Sequence, residues 1–300
     1  MARAYGVCAS GSMDRVGRFT AIDGSVLDGV SATTLWTLRN RAAEAKRSDG
    51  VIRDPWAITV YDAIDYDYAK FGRPNQSHAL RARAFDTAVR AYVTDHPKAS
   101  VVALAEGLQT SFWRLDRDGI LDRCRWYSVD LPPVMKLRAE LLPSDDRIVG
   151  LSQSALDPSW MDRVHADAGG VDQTRADGVF ITAEGLLMYL APDDALGLIR
   201  DCAQRFPGGA LMFDSIPPWL SRRTLGGMKL SNRYVTPPMP FALTADEALA
   251  LAGRIPGVAA ARDVALPPGR GVFTLTTSPR LDRGFMRRNR PSITVLHFDT

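Results

Sequence analysis

From residue 100 onward the chain alternates short apolar runs with stretches of helical periodicity, and this alternation limits the fold more than any other feature. The runs cover 101–105, 126–130, 147–151, 178–182 and 210–214; most are continuously apolar, as befits strands buried on both faces. Helical segments lie between them at 134–142, 159–168 and 193–206. Two further runs, 258–266 and 292–298, are candidate last strands, with a helix over 246–252 before them. Such alternation predicts an α/β fold, with an open, mostly parallel sheet and helices on both faces. Ligands on such sheets bind at the carboxyl ends of the strands, so functional residues are sought just after each run.

The first third reads as helical. Residues 32–46 carry Leu35, Leu38 and Ala42 at helical spacing, with Ser31 placed to cap the start. Residues 78–94 form a second helix with an apolar stripe through Leu80, Ala84, Val89 and Tyr92, ended by Pro97. The expected organisation is a disordered extension over 1–12 ahead of Met13, then one domain over 13–300. Within it 13–98 is a helical part, or lid, and 99–300 the sheet core with an insertion at 216–242. That insertion holds Pro217, Pro218, Pro237, Pro238 and Pro240, interleaved with Trp219, Tyr234, Met239 and Phe241. It reads equally as a substrate wall or lid and as a surface loop packed by its own aromatics.

A net charge of +3 gives no reason to expect nucleic acid as a partner. The one dense basic stretch, Arg280, Arg283, Arg287, Arg288 and Arg290, reads as a solvated helix face. Cys8, Cys124 and Cys202 are odd in number and far apart, which fits neither a disulfide framework nor a zinc site. The longest apolar stretch, 178–191, is broken by Glu184 and too short to span a bilayer, and residues 1–18 lack a secretory apolar core. A cytoplasmic protein with no membrane partner is expected; the oligomeric state is not legible.

Three residues after the runs carry chemistry. Gly107 follows the first run, and alone it does not make the Gly-x-Gly-x-x-Gly turn of a dinucleotide site, which disfavours a nicotinamide-dependent oxidoreductase. Asp130 ends the second run roughly twenty residues on, where an acid accepts hydrogen bonds from ribose hydroxyls. A turn before Pro132 and Pro133 is compatible with that role. Glu184 follows the fourth run; buried there it needs a cation, either a ligand ammonium or an arginine such as Arg81.

In order, Asp54-Pro55-Trp56-Ala57, Arg81-Ala82-Arg83-Ala84-Phe85-Asp86, the turn from Ala105 to Leu115, Ser128-Val129-Asp130-Leu131-Pro132 and the stretch from Glu184 to Leu190 resemble the leucine carboxyl methyltransferase family, in its bacterial polyketide O-methyltransferase-like branch. The resemblance implies a class I S-adenosylmethionine methyltransferase, Rossmann-like, with S-adenosylmethionine as cofactor, no metal, and a carboxylate or hydroxyl of a small molecule as methyl acceptor. That cofactor has no phosphate, so one glycine suffices in its turn. Arg81, or else Arg83, would hold the methionyl carboxylate, and Ala105 and Gly107 would flank the methionine arm. Asp130 with Leu131 would hold the ribose, Ala155 and Leu156 would flank the adenine, Glu184 would meet the amine, and Tyr189 would face the acceptor. Ala105 stands where the family has a glycine, and Gln109 and Ala155 where acids are common. The methyl of Ala105 is expected to narrow the backbone approach, which leaves a binding protein of lost or altered activity as the alternative. No histidine reads as a general base; His78, beside Arg81, comes nearest.

Overall fold

The computed structural model describes residues 21–277 and 283–300; the extension over 1–12, its boundary at Met13, Cys8 and Arg280 lie outside them. The apolar runs form β1 (Ser100–Leu104), β2 (Arg125–Asp130), β3 (Ile148–Ser152), β4 (Val179–Ala183), β5 (Ala210–Ser215), β6 (Val258–Asp263) and β7 (Ser292–Phe298). They make a seven-stranded sheet in the order β6-β7-β5-β4-β1-β2-β3. β7 runs antiparallel to both its neighbours and the other pairs are parallel. This is the Rossmann-like arrangement expected.

The central runs are continuously apolar because alternate residues enter different cores. Val101, Ala103, Phe180 and Met212 face one, packed by the N-terminal helices. Val102, Leu104, Ile181 and Phe213 face the other, with Trp160, Leu198 and Ile199 from the crossover helices. Each fully buried aliphatic or aromatic side chain of this kind contributes about 1.5–3 kcal/mol.

The helices are α1 (Thr33–Ala45), α2 (Pro55–Ala63), α3 (Ser77–Asp95), α4 (Ser111–Asp116), α5 (Pro132–Leu141), α6 (Ser159–Ala168), α7 (Val171–Asp177), α8 (Pro192–Arg205), α9 (Pro218–Leu225), α10 (Ala245–Leu249) and α11 (Gly284–Asn289). Ser31 does not cap α1: Ala32 holds that position without a side-chain bond. The preceding turn does the work instead, with the Thr33 and Thr34 amides donating to the carbonyls of Val30 and Ser31. α2 has an Asp cap and a proline at its start, since Asp54 Oδ1 accepts from the Ala57 amide at 3.0 Å.

The insertion contains α9 and a short antiparallel hairpin, 229–231 against 234–235, and turns Ile216, Leu220, Met228 and Met239 toward the cavity described below. Part of the insertion thus lines the cavity. β6 ends at Asp263, short of the expected 266, because the chain leaves the sheet to cross the cavity with Val264, Leu266 and Phe273. Arg270 ties this crossing to α1 through Glu44 at 2.6 Å. On α11 Arg287 pairs with Asp246 at 2.6 Å, and no residue of that helix is buried. No described helix is long and apolar enough to cross a membrane. Cys124 and Cys202 are buried and free.

Candidate active site

A cavity of about 730 Å³ runs along the carboxyl ends of the parallel strands. Ala105 and Gly107 enter it after β1, Asp130 and Leu131 at the end of β2, Ala155 and Leu156 after β3, Glu184 after β4 and Asp214 at the end of β5. Arg81 reaches it from α3 and Tyr189 from the turn after Glu184. Nine of the ten residues singled out in the sequence thus share one cavity. Arg83 does not. It lies two residues beyond Arg81, about 200° round the helix, and is exposed.

The turn after β1 is held from three sides. Gly107 has φ +60, and a Cβ there would stand 2.4 Å from Thr34 Oγ1, so no larger residue fits. Its amide donates to Asp130 Oδ2 at 2.6 Å, and the Leu131 amide donates to Oδ1 at 2.7 Å. Arg138 of α5 donates to the carbonyls of Gly107 and Gln109 at 2.7 and 2.9 Å. Ala105 has φ +48, the one positive value at a residue other than glycine among those described. Each Asp130 oxygen keeps a lone pair for a further donor. Burial raises the Asp130 pKa, against the lowering pull of the two amides and Arg138.

Opposite stands a charged cluster. Glu184 Oε1 accepts from Arg81 Nε at 2.9 Å and from Gln109 Nε2 at 2.8 Å. Arg81 Nη1 donates to Asp214 Oδ2 at 2.9 Å, and Asp214 Oδ1 takes the Gly185 amide at 2.6 Å. The ion pair weighed for Glu184 is therefore present, and it lines the cavity. Burial raises the Glu184 pKa; Arg81 opposes this and Asp214 adds to it. Burial disfavours the charge on Arg81, but Asp214 and Glu184 outweigh it, so its pKa is raised and it stays a cation. Gln109, where the family often has an acid, is a neutral bridge; a carboxylate there would repel Glu184.

Asp214 was not singled out in the sequence, although it carries the signal that found Asp130: an acid closing an apolar run. Ala155 is buried, and its carbonyl accepts from Trp160 Nε1 at 3.0 Å. Leu131 and Leu156 are 45% and 41% exposed and line the cavity, an apolar surface with no protein cover. The cavity is also lined by Trp36, Met188, Tyr189, Met228, Met239 and Phe273. Burial raises the Tyr189 pKa, so its phenol stays neutral. His96 stacks on Tyr92 and His165 lies tilted against Phe206, neither lining the cavity. Among the described residues, no three His, Cys, Asp or Glu side chains are grouped to hold a metal ion.

The sequence from residue 34 to 203, more than half of the chain, matches the model of the leucine carboxyl methyltransferase family. The chain belongs to that family. It is thus an S-adenosylmethionine-dependent methyltransferase by descent. It is 31% identical over 237 residues to the tetracenomycin polyketide synthesis O-methyltransferase TcmP of Streptomyces glaucescens, covering 77% of this chain and 81% of that one. It is 27% identical over 195 residues to human tRNA wybutosine-synthesizing protein 4, covering 55% of this chain and 28% of that larger protein. In fold it is similar to a Thermobifida fusca protein assigned to the methyltransferases, with a TM-score of 0.52 at 19% identity over 88% of this chain and 94% of that one.

Proposed function

We propose that this leucine carboxyl methyltransferase family member transfers the methyl group of S-adenosylmethionine to a carboxylate or hydroxyl oxygen of a small, polyketide-like molecule. The observation that carries this reading is the convergence of Arg81, Gly107, Asp130 and Glu184 on one cavity whose lining is mostly apolar. The likeness to a polyketide O-methyltransferase supports the acceptor class.

The donor set fits the cofactor. Arg81 would meet a carboxylate, Glu184 an ammonium group and Asp130 a pair of vicinal hydroxyls, each by charge or lone-pair complementarity. Leu131, Ala155 and Leu156 would cover the faces of a flat heterocycle. When bound, the sulfonium supplies an already activated methyl carbon, so the protein's task is mainly orientation and exclusion of water. Trp36, Met188 and Tyr189 would wall the acceptor, and Tyr189, as a neutral phenol, would act as wall rather than base.

Calorimetry with S-adenosylhomocysteine tests the assignment. The wild type is expected to bind, and Asp130→Ala and Glu184→Ala each to lose at least about tenfold in affinity while keeping their circular dichroism, since a hydrogen bond to a charged group is worth about 1.5–3 kcal/mol. Unchanged affinity in both variants would mean that the site is misassigned. Binding of NAD with none of S-adenosylhomocysteine would sink the activity as well.

A further inference from the structure

His78 lies one turn before Arg81 on α3, so both side chains leave the same face of the helix and both line the cavity. Its ring stands edge-on to Trp36, centroids 4.8 Å apart, and Trp36 lines the same cavity. Asn40 of α1, itself buried, bonds His78 Nδ1 through Nδ2 at 2.7 Å. The Asn40 oxygen is engaged from the other side by the Asn75 backbone amide at 3.3 Å. A backbone amide only donates, so Oδ1 must face Asn75 and the amino group must face the histidine. Nδ1 is then an acceptor, and the imidazole is neutral with its proton on Nε2. Nε2 has no hydrogen-bond partner among the described residues.

The groups around the ring reinforce this state. Arg41 of α1 and Arg81 of α3 are the charges that act on it, both positive, and with burial they push the His78 pKa well below its ordinary value. The nearby acids Glu184 and Asp214 are taken up by Arg81. A proton on Nδ1 would meet the Asn40 N–H head-on.

We propose that His78 binds the carboxylate of the methyl acceptor as a hydrogen-bond donor through Nε2–H and does not act as a base. The inference rests on the methyltransferase reading above. Transfer to a carboxylate moves no proton: the O–C bond forms as the C–S bond breaks, and the electron pair stays on sulfur. A donor that holds one carboxylate oxygen is then all the site requires, whereas a neutral alcohol would need a base that neither His78 nor Tyr189 supplies.

The test is nitrogen NMR of the full chain labelled at histidine and saturated with S-adenosylhomocysteine, with His78 assigned from the His78→Gln spectrum. The Nε2–H tautomer is expected to persist unchanged from pH 5.5 to 9. An Nδ1–H tautomer, or titration to imidazolium in that range, overturns the proposal. Added 2-naphthoate, a flat apolar carboxylate, is expected to shift the Nε2–H resonance, while 2-naphthol shifts it less. Its affinity should fall about tenfold in His78→Phe and return in His78→Gln, whose amide replaces the donor. A resonance and affinity indifferent to 2-naphthoate also overturn it. Failure of the wild type to bind S-adenosylhomocysteine is the separate failure of the methyltransferase reading.

Discussion

At Ala105 the turn demands a left-handed backbone and the sequence supplies a Cβ. That conformation costs an L-residue roughly 1–2 kcal/mol, and glycine returns part of the gain through its greater freedom when unfolded. Ala105→Gly is therefore expected to stabilise the protein by about 0.5–1 kcal/mol, read from the urea midpoint; a lower midpoint would show the alanine to be unstrained. Asp130 and Glu184 bear a different cost. Their folded pKa values lie above those of the unfolded chain because burial disfavours the charge. Such an acid stabilises the fold below its unfolded pKa near 4 and loses that contribution as pH rises through the folded value. At pH 7.5, above the unfolded value, the penalty on the charged form bears on both. Asp130→Asn and Glu184→Gln should then melt no lower than the wild type at that pH while binding S-adenosylhomocysteine more weakly; a clear drop in melting temperature in both would show that the acids serve the fold first. Asp130 and Glu184 were legible because a charge closing an apolar run has few explanations, and Asp214 carries the same signal. The pairing of His78 with Asn40 was not legible, since residues 38 apart on two helices meet only once those helices pack.

Among the elements, α2 holds the helical part to the sheet. Its cap residue Asp54 is fully buried and pairs through Oδ2 with Arg41 at 2.7 Å and Arg114 at 2.8 Å, with Thr110 Oγ1 bonded to both its oxygens. Arg114 continues to Asp86 of α3, and Arg41 Nη2 donates to the Leu108 carbonyl at 2.6 Å. Burial works against the charge on Asp54, but Arg114 and Arg41 outweigh it and lower its pKa. Removing one partner of such a buried set typically costs about 3–5 kcal/mol. Asp54→Ala should lose that much by chemical denaturation; a loss under about 1 kcal/mol would mean that the arginines find other partners. The strands were legible because both their faces are buried, which leaves long apolar runs. The sequence reading did not mark α2 as a helix, although Asp-Pro is a common helix start, because its nine residues show little polar face. α4, six residues long, is too short for a helical period to repeat.

Over the whole molecule the sheet depends on its last strand. β7 separates β5 from β6 and pairs with both, and the Ser292 and Ser215 hydroxyls meet at 2.9 Å. Ile293, Val295, Leu296 and Phe298 are buried on its two faces. At about 1.5–3 kcal/mol each they match the 5–15 kcal/mol that holds a typical domain together. A chain ended at residue 291 is expected to show no cooperative thermal transition; one close to that of the full chain would mean that β6 and β5 close the edge unaided. The Asp54 cluster has a consequence of another kind, for recombination. Trp36 and His78, which line the cavity, belong to the helical part, so exchanging 21–98 with a relative is the natural way to seek a new acceptor preference. Yet Arg41 and Asp54 lie inside that exchange while Arg114, Thr110 and the Leu108 carbonyl lie outside it. A chimera cut at residue 98 would inherit half of a buried charge cluster from each parent, and parents that place those charges differently would leave the seam electrically mismatched.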